Sequence, residues 1–195
     1  GYFLFAALTG ASLCGGYVLL GATWLTLRTE GELQRKSFAW TRWGLAWVAL
    51  GVALVSAATP LASETVRDRW FGHLFDRPGT LALMVLPLAS LACGLWVWRT
   101  TGHLKRAQSA GAKPARDWAP FAGSVAIFVL AFLGLAYSLF PYVVMDRLTI
   151  WEAAAHPSAL RVLLIGAVVV MPFLAGYTVF AYRVFRGKVR ELTYH

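Results

Sequence analysis

An all-α fold, a polytopic transmembrane bundle of about five helices forming one membrane domain, is what the sequence predicts. Three observations lead there. The 195 residues are 58% hydrophobic and only 14% charged, too apolar for an ordinary soluble domain of this size. Five stretches, residues 1–27, 43–63, 78–98, 118–145 and 162–182, contain no Asp, Glu, Lys, Arg or His. Each is long enough to cross a hydrocarbon core, which takes about 20 apolar residues. Finally, the apolar residues run continuously instead of alternating, which favours helices over barrel strands because lipid offers no partners to unpaired backbone groups.

Span one, residues 1–27, is rich in small residues. Ala7, Ala11 and Gly15 recur every four positions, and Ser12 and Gly16 lie on the adjoining row, a face on which a second helix backbone can approach closely. Gly1 opens directly into this apolar stretch with no charged leader, so further sequence is expected to precede it. Cys14 and Cys93 differ in depth: Cys14 lies about 20 Å from the charged end of its span and Cys93 within about 10 Å, counted along a helix. They are read as small thiols in packed helices and are not expected to pair. Spans three and five contain Pro87 and Pro172, each expected to bend its helix, whereas Pro60, Pro120 and Pro141 stand near span ends. Trp40, Trp43, Trp70, Trp96, Trp98, Trp118 and Trp151 fall near the predicted interfaces, as aromatic belts do.

Charge gives the topology. Of the 18 Lys and Arg residues, 13 follow spans one, three and five, and 5 follow spans two and four. The positive-inside rule therefore predicts an outside N-terminus, a cytoplasmic C-terminus, and cytoplasmic loops at residues 28–42 and 99–116. The net charge of +9 is read as topology with attraction to anionic lipid, not as a nucleic-acid surface. Residues 28–35 and 99–106 share the pattern R-T-x-G-x-L-x-R, as a parallel duplication or chance would produce. Residues 109–114, small, polar and ending in Pro114, read as a flexible linker. Thr149 and Glu152 have capping-box spacing, and Ala153, Ala154 and Ala155 favour a short helix after them.

Catalytic chemistry is sparse. His73, His103, His156 and His195 all lie outside the spans, so no imidazole pair stands at bilayer depth to hold a haem, and Met84 and Met171 lack a histidine companion. No metal cluster, activated nucleophile or phosphate loop is visible. A lipid-modifying enzyme would have to use Glu30, Glu32, His103 or Glu152, residues that also fit helix ends and surface charge. A transporter half would use Pro87 and Pro172 as helix breaks.

Three segments resemble the second subunit of cytochrome bd quinol oxidases. Gly21-Ala22-Thr23-Trp24-Leu25, ending a span, leads into Thr29-Glu30-Gly31-Glu32-Leu33; Phe140-Pro141-Tyr142 leads into Leu148-Thr149-Ile150-Trp151-Glu152-Ala153; and residues 172–189 resemble the family's last helix and basic tail. The resemblance covers the family's carboxy-terminal half. It implies a haem-free chain in the bacterial cytoplasmic membrane that binds no cofactor itself. Its partner would be a first subunit carrying two b-type haems and one d-type haem, oxidising quinol and reducing dioxygen to water. Membrane lipids and a structural quinone are further candidate partners. Gly15, Gly16, Trp24, Thr29, Gly31, Glu32, Pro141, Thr149, Trp151 and Glu152 are the expected structural or interface residues, with no catalytic or metal-binding role.

Overall fold

A computed structural model of the chain describes residues 2–62, 78–112, 116–144, 147–184 and 187–188. The expectations for His73, His195, Trp70, Arg67, Arg69, Arg77, Lys113, Pro114, Arg186 and Arg190 lie outside the described residues. Among the described residues there are five helices: α1 (Tyr2–Arg28), α2 (Gly31–Ala62), α3 (Pro78–Ser109), α4 (Ala119–Leu139) and α5 (Pro157–Val184). Two short strands, β1 (Tyr142–Val144) and β2 (Leu148–Thr149), pair antiparallel between α4 and α5. Four helices, α1, α2, α4 and α5, are long and apolar enough to cross a membrane. The fifth, α3, carries the uncharged residues 78–98 and then continues through Arg99, Lys105 and Arg106.

Helix ends differ from the spans read in the sequence, each for a local reason. α2 begins twelve residues before Trp43, because its polar start is good helix material and Glu32 and Lys36 pair across one turn at 3.1 Å. Residues 28–42 are therefore a tight turn and a helix start, not a loop, and 99–109 are helix too. The shared octapeptide pattern consequently has two conformations: Gly31 has φ +71°, whereas Gly102 lies inside α3. α4 stops at Leu139, short of Met145, as Pro141 and the β-branched pair Val143 and Val144 pass into β1. α5 starts five residues early, with Pro157 at its first position, where a missing amide costs nothing. Pro87 and Pro172 both lie inside continuous helices.

The described residues divide into two compact units, one up to Ser138 and the other from Leu139 to Lys188. In the first, Leu19, Leu45, Val97 and Ile127, one residue from each of α1 to α4, form the apolar core, with Val48 and Cys93 against it. Cys14, by contrast, is exposed, so the packed-thiol reading holds for Cys93 better than for Cys14.

Glycines set how closely these helices approach. A Cβ on Gly44 would stand 3.1 Å from the Leu19 backbone, and one on Gly51 would collide with Ser12. On α1, a Cβ on Gly15 would collide with the Trp47 ring of α2, whose indole N–H donates to the Ala11 carbonyl at 3.1 Å. Gly16 has Phe128 of α4 at 2.7 Å from the same position, and on Gly123 of α4 a Cβ would collide with Val97 of α3.

Gly15→Leu should therefore destabilise the α1–α2 pair by roughly 1 to 3 kcal/mol through overpacking. Gly10→Ala, whose added methyl meets nothing within 4 Å, should be neutral or better. Thermal unfolding of the two variants in detergent, compared with the parent, measures the contrast; equal melting temperatures would remove the close-approach argument.

Candidate functional site

The residues singled out in the sequence fall into two groups, one in each unit. Gly15, Gly16, Trp24, Thr29, Gly31 and Glu32 lie along α1 and its turn into α2. Pro141, Thr149, Trp151 and Glu152 lie in the segment between α4 and α5.

In the first group, Trp24 packs edge-on against Phe121 of α4, ring centres 5.1 Å apart at 61°, while the Arg28 guanidinium sits 4.6 Å from the centre of the Trp24 ring. Trp24 thus serves both helix packing and a cation, each arrangement contributing on the order of 1 kcal/mol. Thr29 is buried and donates its hydroxyl to the Leu25 carbonyl at 2.7 Å, tying off the last turn of α1. The chain then reverses through Glu30 and Gly31. The positive φ of Gly31 is one that side-chain-bearing residues adopt at a cost, which explains a glycine there. Glu32 is exposed and engaged by Lys36.

Sequence reasoning missed the polar seam behind this turn. Gln34, Ser37 and Thr41 of α2 are buried, as are Thr23 and Thr26 of α1. Gln34 donates its side-chain amide to the Thr26 carbonyl at 2.9 Å, Ser37 donates to the Gln34 carbonyl at 2.7 Å, and the Thr26 and Ser37 hydroxyls meet at 2.8 Å. From α3, the Gln108 side-chain amide donates to the Gln34 side-chain oxygen at 3.2 Å and to the Gly31 carbonyl at 3.1 Å. Three helices are thus joined at one end by side-chain amides and hydroxyls, which satisfies Thr26, Gln34 and Ser37, groups that would otherwise be costly to bury, whereas the buried Thr41 hydroxyl has no hydrogen-bond partner among the described residues. A signal existed: Gln34, Ser37, Thr41 and Gly44 recur at three- and four-residue steps, one face of α2.

In the second group, Tyr142 pairs with Thr149 and Val144 with Leu148 across β1 and β2, and the Ile150 amide donates to the Pro141 carbonyl at 2.9 Å. Phe140 and Trp151 close the base of this hairpin edge to face, 5.9 Å apart at 75°. The Thr149 amide and hydroxyl both donate to one Glu152 carboxylate oxygen, each at 2.8 Å, and the Glu152 amide donates back to the Thr149 hydroxyl at 3.3 Å. This is the reciprocal bonding of a capping box, but the helix expected beyond it is absent. One turn forms, closed by the Ala153 amide on the Thr149 carbonyl at 3.0 Å, and the alanines run on without regular structure to His156. Pro157 accounts for the stop, since a residue preceding proline is driven out of the helical region.

These contacts also bear on catalysis. Glu152 is committed to Thr149 and Glu32 to Lys36, and the His156 ring nitrogen faces the Ser158 hydroxyl at 2.8 Å. Among the described residues, no three His, Cys, Asp or Glu side chains cluster as a metal site would require. His103 lies in the charged last part of α3, and His156 immediately precedes α5.

The helices and their seams define a multi-pass helical membrane protein. A family model described as cytochrome bd terminal oxidase subunit II matches residues 2–185, and the chain belongs to that family. It is similar to the cytochrome bd-I ubiquinol oxidase subunit 2 of Escherichia coli K12, and to the protein of the same name from Escherichia coli O157:H7. Identity is 24% over 219 aligned positions in each case, covering 96% of this chain and 53% of the relative. The chain thus spans about half the length of the curated relatives it matches.

The Glu152 carboxyl is held below the usual carboxylate range, first by the Thr149 amide and then by the Thr149 hydroxyl. Because the folded value is depressed, the stabilisation is complete above the ordinary glutamate range, near pH 4.3, and is lost as pH falls through the depressed value. Exchange protection of the Thr149 amide should therefore persist through the ordinary glutamate range and be lost only as pH falls through the depressed value. Glu152→Gln, which keeps an accepting oxygen without a titrating group, should flatten that dependence, and Thr149→Ala should cost roughly 1 kcal/mol of local stability. Hydrogen exchange of the peptide containing Thr149, corrected for intrinsic rates, is the measurement.

Proposed function

We propose that this chain is a haem-free membrane subunit of a cytochrome bd-type terminal oxidase in the bacterial cytoplasmic membrane. It supports quinol oxidation and the reduction of dioxygen to water by a haem-bearing partner subunit. Membership of the subunit II family is the observation that carries the reading. The Glu32–Lys36, Glu152–Thr149 and His156–Ser158 contacts support it, since each gives these side chains a packing role. Two b-type haems and one d-type haem in the partner would supply the redox chemistry. This chain's residues would position helices: Gly15, Gly16 and Trp24 at α1, the turn at Thr29, Gly31 and Glu32, and the clasp of Pro141, Thr149, Trp151 and Glu152. Bilayer lipid, and a structural quinone, would contact the exposed apolar faces. A transporter half fits less well, because Pro87 and Pro172 lie in unbroken helices.

The orientation in this reading places the N-terminus outside and the end of α3 in the cytoplasm, on the 13 to 5 division of basic residues. Single cysteines at Arg35 and Ser109, both exposed, in a background lacking Cys14 and Cys93, report it; Ser37 is fully buried and would not. Both should resist an impermeant thiol reagent in intact cells and react once the membrane is opened. Labelling in intact cells would mean the opposite orientation.

The native complex, purified through a tag on this chain, should contain a second subunit and show the reduced-minus-oxidised bands of b- and d-type haem. The chain purified alone should give no pyridine haemochrome. Absence of d-type haem from the complex, or stoichiometric haem on the isolated chain, would overturn the proposal. Glu152→Gln should leave quinol oxidase turnover per d-type haem unchanged, and a tenfold loss in normally assembled complex, about 1.4 kcal/mol of barrier, would give Glu152 a proton-transfer role.

A further inference from the structure

Where α3 runs on past its uncharged stretch, it forms with α2 a cleft of about 710 Å³, lined by Arg42 on α2 and by Trp98, Arg99, Lys105, Arg106 and Ser109 among the α3 residues. The lining holds four Arg and Lys side chains and no carboxylate. The Glu32–Lys36 ion pair lies outside the cleft. Like charges gathered without a counter-ion repel one another, so the cleft is electrostatically incomplete as it stands. It is also ordered: the Arg42 guanidinium stacks 4.1 Å from the centre of the Trp98 ring, which fixes that cation at the cleft wall. The depth is informative too. Trp98 ends the uncharged segment, and Leu95 and Leu91, one and two turns back along α3, are 51% and 60% exposed. Positions 91, 95, 98, 102 and 106 recur at helical spacing, so an exposed apolar strip leads along one face into the basic cleft.

We propose that this cleft is a binding site for the phosphodiester headgroup of an anionic phospholipid, with Arg42, Arg99, Lys105 and Arg106 around the phosphate oxygens and an acyl chain along Leu91 and Leu95. Guanidinium groups suit this role because their planar donors match phosphate oxygens in pairs, and basic pockets between membrane helices at this depth complement anionic headgroups. Trp98 does two things: it holds Arg42 and marks the boundary where headgroup gives way to chain. The proposal rests on the membrane placement of the chain but not on the identity of its redox partner.

The test uses the purified full-length complex, stripped of lipid in detergent and analysed by native mass spectrometry. Phosphatidylglycerol, phosphatidylcholine or inorganic phosphate is added separately and in competition. Phosphatidylglycerol should be retained, and phosphatidylcholine retained several-fold less. Each cation removed should weaken retention on the order of fivefold, so R99Q/R106Q should lose most of the bound phosphatidylglycerol. R99K/R106K, which keeps the charge, should retain an intermediate amount, and K36Q, outside the cleft, should behave as the parent. Parent-like melting temperatures would show that the variants fold. Unchanged retention in R99Q/R106Q, equal loss in K36Q, or equal retention of phosphatidylcholine would overturn the proposal. Displacement of phosphatidylglycerol by a modest excess of inorganic phosphate would assign the cleft to a free anion and overturn the lipid. The haem spectrum of the same sample reports separately on the oxidase reading, so failure of one is distinguishable from failure of the other.

Discussion

Gly44 on α2 and Leu19 on α1 mark the place where two helix backbones come within side-chain reach, and the arrangement of the first unit depends on that approach. In hydrocarbon a leucine gains little by leaving lipid for another helix, so apolar burial cannot be the force that pairs them. Dispersion between closely packed backbones and hydrogen bonds between buried polar groups must supply it. Glycine at positions 15, 44 and 51 permits the first, and the seam of Thr26, Ser37, Gln34 and Gln108 supplies the second. The two devices sit at different levels of the same hairpin. The glycines set the separation along the spans, and the seam fixes the register at the turn.

The seam also explains why α3 extends beyond the apolar stretch that defines it. Without residues 99–109 in helical form, Gln108 would not reach Gln34 and the Gly31 carbonyl. The same extension carries Arg99, Lys105 and Arg106 to the side of Arg42. One structural feature, continuing a helix past its charged boundary, thus both ties three helices together and gathers the basic side chains of the cleft.

The helices were legible as long runs free of charge, and four of the five are long and apolar enough to cross a membrane, Pro78–Ser109 being the exception. Their ends were not. Residues 31–42 carry Arg35, Lys36 and Arg42 and read as a loop, although Glu32 and Lys36 stand at the spacing of a helical ion pair. Val143 and Val144 continue the apolar run of α4, and hydropathy alone does not distinguish helix from the strand they form. The clasp was half legible: Thr149 and Glu152 make the reciprocal bonds their spacing implies, yet a proline five residues past Glu152 ends the turn before a helix develops. Least visible were Gln34 and Gln108, 74 residues apart, because each reads as an ordinary polar residue near charge until the fold places them 3.2 Å from one another.

The Trp47 indole reaches the Ala11 carbonyl by passing through the space that a side chain on Gly15 would occupy. In the helix that same carbonyl also accepts the Gly15 amide, four residues on. The missing Cβ therefore does more than admit a ring; it uncovers the second lone pair of an acceptor already in use. Positions 15 and 47 form a single energetic unit, and free energies of change at the two sites cannot be added. Once the ring at 47 is gone, a larger residue at 15 meets an empty space, so drift in this part of the hairpin is bound to move by linked pairs of substitutions.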